Sequence, residues 1–241
     1  MLVRRSFRWT GRLHVTALAT ICALGVVDCS RFTSAAGDGM LDGSMASGAG
    51  VARRSPATLG EILSGAGGTY IERLLVDRDS TLERWTDRTA QPLRVWIDST
   101  DVVSGDKAGF PQAVRFAFHQ WLEVGVPIKL VYVSSPNHAN IRVRWTDRLN
   151  RKTGSTTWRT DRSGYLTGGE ITLATHISDG NPLDARGMRA IALHEVGHAL
   201  GLSHSVDSRD VMAALVRVDA LSESDRGTLK LLYSLPAGRV R

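Results

Sequence analysis

The stretch HEVGHALGLSH, at residues 194–204, decides the fold because it sets three histidines, one carboxylate and one glycine at defined offsets. Each residue of an α-helix turns by about 100°, so His194 and His198 lie one turn apart on the same face. Two neutral imidazoles at that spacing can bind one Zn2+ at about 2.0–2.1 Å. Glu195 then stands beside the metal, where it can act as a base without being a ligand.

The third histidine of the stretch must reach the metal from outside that helical face. If the helix continued, His204 would lie about 9 Å beyond His198 along the axis and point elsewhere. Gly201 can adopt a positive φ, end the helix as its C′ residue and turn the chain back. The result is a three-histidine site with one position open to water, which is the catalytic type of zinc site. The competing interpretation of the short motif is a surface helix with two solvated histidines, but the longer motif specifies two further positions.

These residues match H-E-x-x-H-x-x-G-x-x-H, the signature of the metzincin proteases. Ser205 directly after the third histidine, and Met212 eight residues after it, resemble the matrixin branch of that family. The resemblance covers residues 91–236 and implies an α+β fold: a metzincin-like zincin domain with a mixed twisted sheet, an active-site helix, a Met-turn and a C-terminal helix. Met212 would form the turn beneath the metal, although its alternative role is ordinary core packing.

The positive charge of the chain is concentrated at its start. The formal net charge is +6, but residues 1–36 contain five arginines and one aspartate, and the rest has 25 basic against 23 acidic residues. This distribution removes the main support for nucleic-acid binding, and we predict no nucleic-acid partner. The total of 241 residues, 42% of them hydrophobic, suits one globular domain with extensions.

Residues 1–36 are predicted to be a signal peptide. Arginines precede an apolar stretch at residues 15–27, which is too short for a confident membrane span, and small residues at 34–36 offer a cleavage site. We therefore expect an exported protein, extracellular or periplasmic, with no membrane span in the mature chain. A lipid anchor at Cys29 is the less favoured alternative because Asp28 is not the small residue that such a site resembles.

Both cysteines, Cys22 and Cys29, lie in this leader. The mature protein is therefore expected to have no disulfide, even though it is exported. It also lacks the propeptide cysteine with which matrix metalloproteinases, similar in the site, maintain latency.

The remaining chain is divided into three predicted parts. Residues 37–90 form a linker with a possible propeptide or N-terminal arm, residues 91–236 the matrixin-like domain, and residues 237–241 a tail. Within the domain, apolar periodicity predicts a strand at 93–98, a helix at 107–124, and strands at 128–133, 139–145, 154–161 and 165–175. The active-site helix, at 185–200, is capped by Asp184, and a last helix opens with a capping box formed by Ser222 and Asp225.

The resemblance also implies roles for residues outside the zinc motif. The strand at 154–161 is similar to the matrixin edge strand that lines the cleft, so Thr156, Thr157 and Trp158 would pair with the substrate backbone. The alternative is an ordinary exposed edge blunted by charged side chains. Asp225 would brace the Met-turn, whereas Ser224 replaces the acid that pairs with the mature N-terminus in the family, so that salt bridge is not carried over.

One catalytic Zn2+ is the only cofactor that we predict. His138 and His176 suggest a second metal, but the H-x-D pattern of the matrix metalloproteinase structural zinc is missing, and calcium is left open.

The predicted function is that of an exported zinc metalloendopeptidase acting on a protein or peptide substrate, with a monomeric chain. His194, His198 and His204 are the predicted ligands, and Glu195 is the general base that activates a zinc-bound water. A zinc hydrolase acting on a non-peptide amide, such as a cell-wall component, remains an alternative. So does a non-catalytic binding module stabilised by zinc, although such a module would not need Glu195.

Overall fold

The computed structural model describes residues 67–99 and 109–240. The predicted signal peptide, both cysteines and residues 37–66 of the predicted linker lie outside these described residues. The helices are α1 (Ile71–Asp77), α2 (Phe110–Leu122), α3 (Ala185–Ala199) and α4 (Glu223–Ser234), and a 3₁₀ turn spans Pro136–His138. The strands are β1 (Thr81–Leu82), β2 (Arg88–Ile97), β3 (Ile128–Tyr132), β4 (Ile141–Thr146), β5 (Gly154–Thr160), β6 (Leu166–Ala174) and β7 (Gly238–Arg239).

A five-stranded sheet with the order β3-β2-β4-β6-β5 forms the centre of the fold. The first four strands of that order run parallel to one another, and β5 pairs antiparallel with β6 at one edge. β1 and β7 form a separate antiparallel pair. The predicted α+β class with a mixed sheet is therefore confirmed.

Helix α2 follows the apolar spacing seen in the sequence. Phe110, Val114, Phe118 and Trp121 recur at three- or four-residue intervals and are all at most 3% exposed. The indole Nε1 of Trp121 donates to the carbonyl of Leu193, 2.8 Å away, which attaches α2 to α3. The prediction of a helix at 107–124 is correct in type, and the observed helix ends two residues earlier, at Leu122.

The first described segment packs into the same core. Tyr70, Ile71 and Leu74 of the α1 region are at most 6% exposed, and Trp85 is fully buried. Trp85 donates from Nε1 to the carbonyl of Ala199, at 2.9 Å. Residues 70–85 therefore form an N-terminal arm that lies against the active-site helix, while the proposed domain boundary at residue 91 stays a prediction.

Two predicted boundaries differ from the structure for identifiable reasons. β2 begins at Arg88, five residues before the predicted start, and a bulge between Arg88 and Leu93 interrupts its pairing with β3. Its first residues are largely exposed, so they carry no apolar alternation. The predicted tail contains β7, which pairs with β1 near the start of the described chain, and two residues are too few to form a pattern.

The other strands and the active-site helix agree with prediction to within two residues. Among the residues that the structure describes, no helix is long and apolar enough to cross a membrane.

Candidate metal centre

Helix α3 supplies the first two histidines of the site. The carboxylate of Asp184 accepts from the backbone N–H of Gly187 at 2.6 Å, which caps the helix as predicted. Leu193 and Val196 on the helix are at most 1% exposed, so they anchor one face in the core. His194 and His198 then lie with their Nε2 atoms 3.0 Å apart.

Gly201 ends α3 and redirects the chain towards the two histidines. Its φ is +105°, and its N–H donates to the carbonyl of His198 at 3.0 Å. The N–H of Leu202 donates to the carbonyl of Gly197 at 3.0 Å, which completes a Schellman motif. The third histidine is thereby brought back, and the Nε2 of His204 lies 3.2 Å from the Nε2 of His198.

Backbone carbonyls determine which ring nitrogens face the centre of this cluster. The Nδ1 of His194 lies 2.8 Å from the oxygen of Val211, and the Nδ1 of His198 lies 2.9 Å from the oxygen of Leu202. A carbonyl oxygen can only accept, so both Nδ1 atoms carry the proton and both Nε2 atoms present lone pairs. Such lone pairs repel each other at 3.0 Å unless a cation lies between them.

The histidine cluster fits Zn2+ in both donor type and spacing. Nitrogens around tetrahedral zinc at about 2.0–2.1 Å lie about 3.3 Å from one another. The three ligand atoms lie within 4.8 Å of one another, and no other such group occurs within residues 67–99 and 109–240.

Burial keeps these imidazoles in the neutral form that binds metal. It lowers the pKa of His194 to about 4 and the pKa of His198 well below its ordinary value, and it also lowers the pKa of His204. Protons therefore compete weakly with a metal ion near neutral pH.

Glu195 directly follows His194 on α3, in a buried position against β5. Its exposed fraction is 5%, and the hydroxyl of Thr156 donates to its Oε2 at 2.6 Å. Burial raises the pKa of Glu195 to about 7, opposed by the Thr156 hydrogen bond and the charge of Lys152. A Cβ added at Gly154 would lie 2.3 Å from Oε1 of Glu195, so the strand approaches the carboxylate because residue 154 is glycine.

Met212 packs beneath the active-site helix. It is fully buried, and its sulfur lies 2.3 Å from the position of a Cβ added at Gly197, the residue before His198. The N–H of Ser205 donates to the carbonyl of Met212 at 2.8 Å, which connects the turn to the chain after the third histidine.

A family model supports the relationship that these residues suggest. The model of the matrixins matches residues 84–234, which is more than half of the 241-residue chain. The chain belongs to the matrixin family. No curated protein matches the chain significantly. This matrixin is accordingly a zinc metalloendopeptidase that acts on peptide bonds, and its three-histidine group is suited to one zinc ion.

Asp225 of this matrixin lies under the turn at Met212. Its carboxylate accepts from the backbone N–H groups of Val211, at 2.9 Å, and Met212, at 3.4 Å, and it also completes the predicted capping box with Ser222. The hydroxyl of Tyr70 donates to the same carboxylate at 3.1 Å. Sequence reasoning had assigned no role to Tyr70, because the contact joins residues 155 positions apart.

On β5, the predicted substrate strand, some side chains contact the rest of the protein and others face solvent. Thr156 turns towards Glu195, and the indole of Trp158 donates to Glu83 at 3.0 Å, whereas Thr157 is exposed. Among the described strands, β5 pairs only with β6, so its outer edge carries unpaired backbone groups. Thr156 thus contacts the candidate base, a role that the prediction of substrate binding for this residue does not include.

The two remaining candidate histidines lie elsewhere. His138 ends the 3₁₀ turn, and the Nδ1 of His176 lies 2.7 Å from a carboxylate oxygen of Asp147. Neither belongs to a group of three metal-ligating side chains within the described part of the chain.

Proposed function

We propose that this matrixin is an exported endopeptidase in which His194, His198 and His204 hold the catalytic zinc and Glu195 is the general base. The observation that carries the proposal is a buried carboxylate on the helix residue that directly follows the first of three converging imidazoles. In the metal-free protein, burial raises the pKa of Glu195 to about 7, so the site can hold this side chain in either protonation state near neutral pH.

The zinc ion and the residues around it have separate roles in hydrolysis. Zinc, when bound, lowers the pKa of a water molecule to about 7 and polarises the scissile carbonyl. Glu195 accepts a proton from the attacking water as the new C–O bond forms, and delivers it to the leaving amine as the C–N bond breaks. Thr156 orients the carboxylate through its 2.6 Å hydrogen bond.

The substrate is proposed to bind as an extended peptide along the outer edge of β5. Strand addition uses backbone hydrogen bonds for affinity, so it suits an endopeptidase that must bind the middle of a chain. The exposed position of Thr157 and the antiparallel edge position of β5 support this mode.

Export is proposed from the leader at residues 1–36. Mass spectrometry of the secreted protein should find a mature chain that begins between about residues 28 and 40. Recovery of exported protein that retains Met1 would contradict this part of the proposal.

The decisive experiment compares two single variants, Glu195→Gln and His204→Ala, with the wild type. Glu195→Gln retains shape but not basicity, so it should keep its zinc while turnover of a casein substrate falls by about 10²–10⁴-fold. His204→Ala should lose most of the zinc, because two imidazoles leave the site incomplete. Both zinc content and cleavage are measured on the same samples.

The outcomes separate the proposal from its alternatives. Full activity in Glu195→Gln would remove this residue from the mechanism, and loss of zinc in that variant would make it structural. A zinc-loaded wild type that cleaves peptidoglycan but no protein would favour a zinc hydrolase that acts on a cell-wall amide. A zinc-loaded wild type that cleaves neither would favour the binding module.

A further inference from the structure

A buried ion pair joins the N-terminal arm to the edge of the metal centre. The Nη1 of Arg78 lies 3.3 Å from Oε2 of Glu83, and the two side chains are 6% and 12% exposed. Burying such a pair is unfavourable unless further hydrogen bonds satisfy both groups. The other hydrogen bonds of Arg78 and Glu83 therefore show which parts of the site this pair supports.

Arg78 shares an acceptor with one of the proposed zinc ligands. Its Nη2 donates to the carbonyl oxygen of Leu202 at 3.2 Å. The same oxygen accepts from the Nδ1 of His198 at 2.9 Å. A carbonyl oxygen has two lone pairs, so the guanidinium and the imidazole together occupy this acceptor and orient each other through it. Leu202 also lies in the turn that leads to His204.

Glu83 connects the pair to strand β5. Its Oε2 accepts from the indole Nε1 of Trp158 at 3.0 Å, and the guanidinium carbon of Arg78 lies 4.9 Å from the centre of the Trp158 ring. Trp158 lies on β5, two residues after Thr156, whose hydroxyl binds the candidate base. The pair therefore touches both the ligand turn and the strand that holds Glu195.

The backbone of the arm closes against the same turn. A Cβ added at Gly201 would lie 2.3 Å from the carbonyl oxygen of Glu83. The backbone of Glu83 therefore packs directly against the turn that leads to His204.

We propose that Arg78 and Glu83 are positioning residues for the zinc site. They hold the Leu202 carbonyl, and through it His198, in the orientation that binds metal, and they hold β5 through Trp158. The inference rests on the zinc ligands of the proposed function. It also implies that the arm from residue 78 onward belongs to the active enzyme and is not a removable propeptide.

The test measures zinc affinity by chelator competition on the full chain, together with the melting temperature and circular dichroism. Arg78→Met removes the second donor to the Leu202 carbonyl and should weaken zinc binding by about 10–100-fold, the usual effect of disturbing the hydrogen-bond partner of a metal ligand. Arg78→Lys keeps the charge but not the forked geometry, so it should also weaken binding, by about tenfold.

The neighbouring Arg84 provides a matched control. Its guanidinium donates to the carbonyls of Leu235, at 2.9 Å, and Trp85, at 3.0 Å, and neither residue is a proposed ligand. Arg84→Lys should lower the melting temperature and leave the zinc affinity within twofold of wild type. A merely structural pair at Arg78 and Glu83 would behave in the same way, so zinc affinity separates the two roles.

A folded Arg78→Met protein whose zinc affinity is within twofold of wild type would overturn the inference. If that variant does not fold, Arg78→Lys and Glu83→Gln decide, and unchanged zinc affinity in both would overturn it equally. A wild type without zinc, or a His204→Ala protein with undiminished zinc affinity, would instead refute the ligand assignment of the proposed function.

Discussion

Gly154→Ala should impair catalysis without touching a proposed metal ligand. The added methyl carbon would lie 2.3 Å from Oε1, 2.6 Å from Cγ and 2.7 Å from Cδ of Glu195. Van der Waals contact between such atoms begins at about 3.4 Å, so the carboxylate has to move by about 1 Å. The variant residue itself fits the backbone, because Gly154 is not among the glycines with positive φ.

A displacement of that size is large for a group that is proposed to act as the catalytic base. Misplacement by about 1 Å can lower a rate by about 10²-fold, so we expect kcat to fall by about that factor. Zinc content should stay unchanged, because the three atoms nearest the added methyl carbon all belong to Glu195 and none to a histidine. Steady-state kinetics with a quenched fluorescent peptide and elemental analysis of the same preparation measure both quantities.

Gly168→Ala is the matched control for this prediction. Its Cβ would lie 2.4 Å from Nη2 of Arg159, the end of an exposed and flexible side chain that can swing away. The control should therefore keep its kcat within about twofold of wild type. Wild-type kcat in Gly154→Ala would refute the reasoning, and so would a loss of zinc large enough to account for the lower rate.

Three further predictions concern stability and pH. Gly201→Ala should destabilise the fold by about 2 kcal/mol or more in urea denaturation, because alanine is strained at φ +105° and its Cβ meets the Glu83 backbone; an unchanged midpoint would refute this. Asp225→Ala should lower the free energy of unfolding by about 2–4 kcal/mol, since it leaves the N–H groups of the Met212 turn without their acceptor; a loss below about 1 kcal/mol would contradict that role. In the metal-free protein, the pKa of His194 falls to about 4, so its stabilising effect is present above the unfolded value of about 6.5 and is lost as pH falls towards 4. Burial raises the pKa of Glu195 to about 7, so this residue adds stability as the pH falls from 7 to its unfolded value of about 4.5 and opposes the loss from His194. Metal-free Glu195→Gln lacks this compensation, so its free energy of unfolding should fall more steeply than that of the wild type as the pH falls from 6.5 to 5, by about 1.4 kcal/mol per pH unit. Equal slopes in the two proteins would refute this.

Sequence reasoning succeeded where the determining physics is local. The spacing of His194 and His198 follows from the helical repeat, and the end of the helix follows from the ability of Gly201 to adopt a positive φ. The capping roles of Asp184 and Ser222 depend on backbone groups three residues away. Each of these features depends on interactions within a few residues, so it can be predicted from the sequence alone.

Tertiary structure alone decided which distant side chains complete the site. The hydroxyl of Thr156 reaches Glu195 across 39 residues, and Arg78 reaches the carbonyl of Leu202 across 124. No periodicity or motif encodes such contacts, because they depend on how the sheet, the arm and the helix pack together. The motif therefore predicted the three histidines that converge, while the packing of the chain determined which side chains surround these histidines and the candidate base.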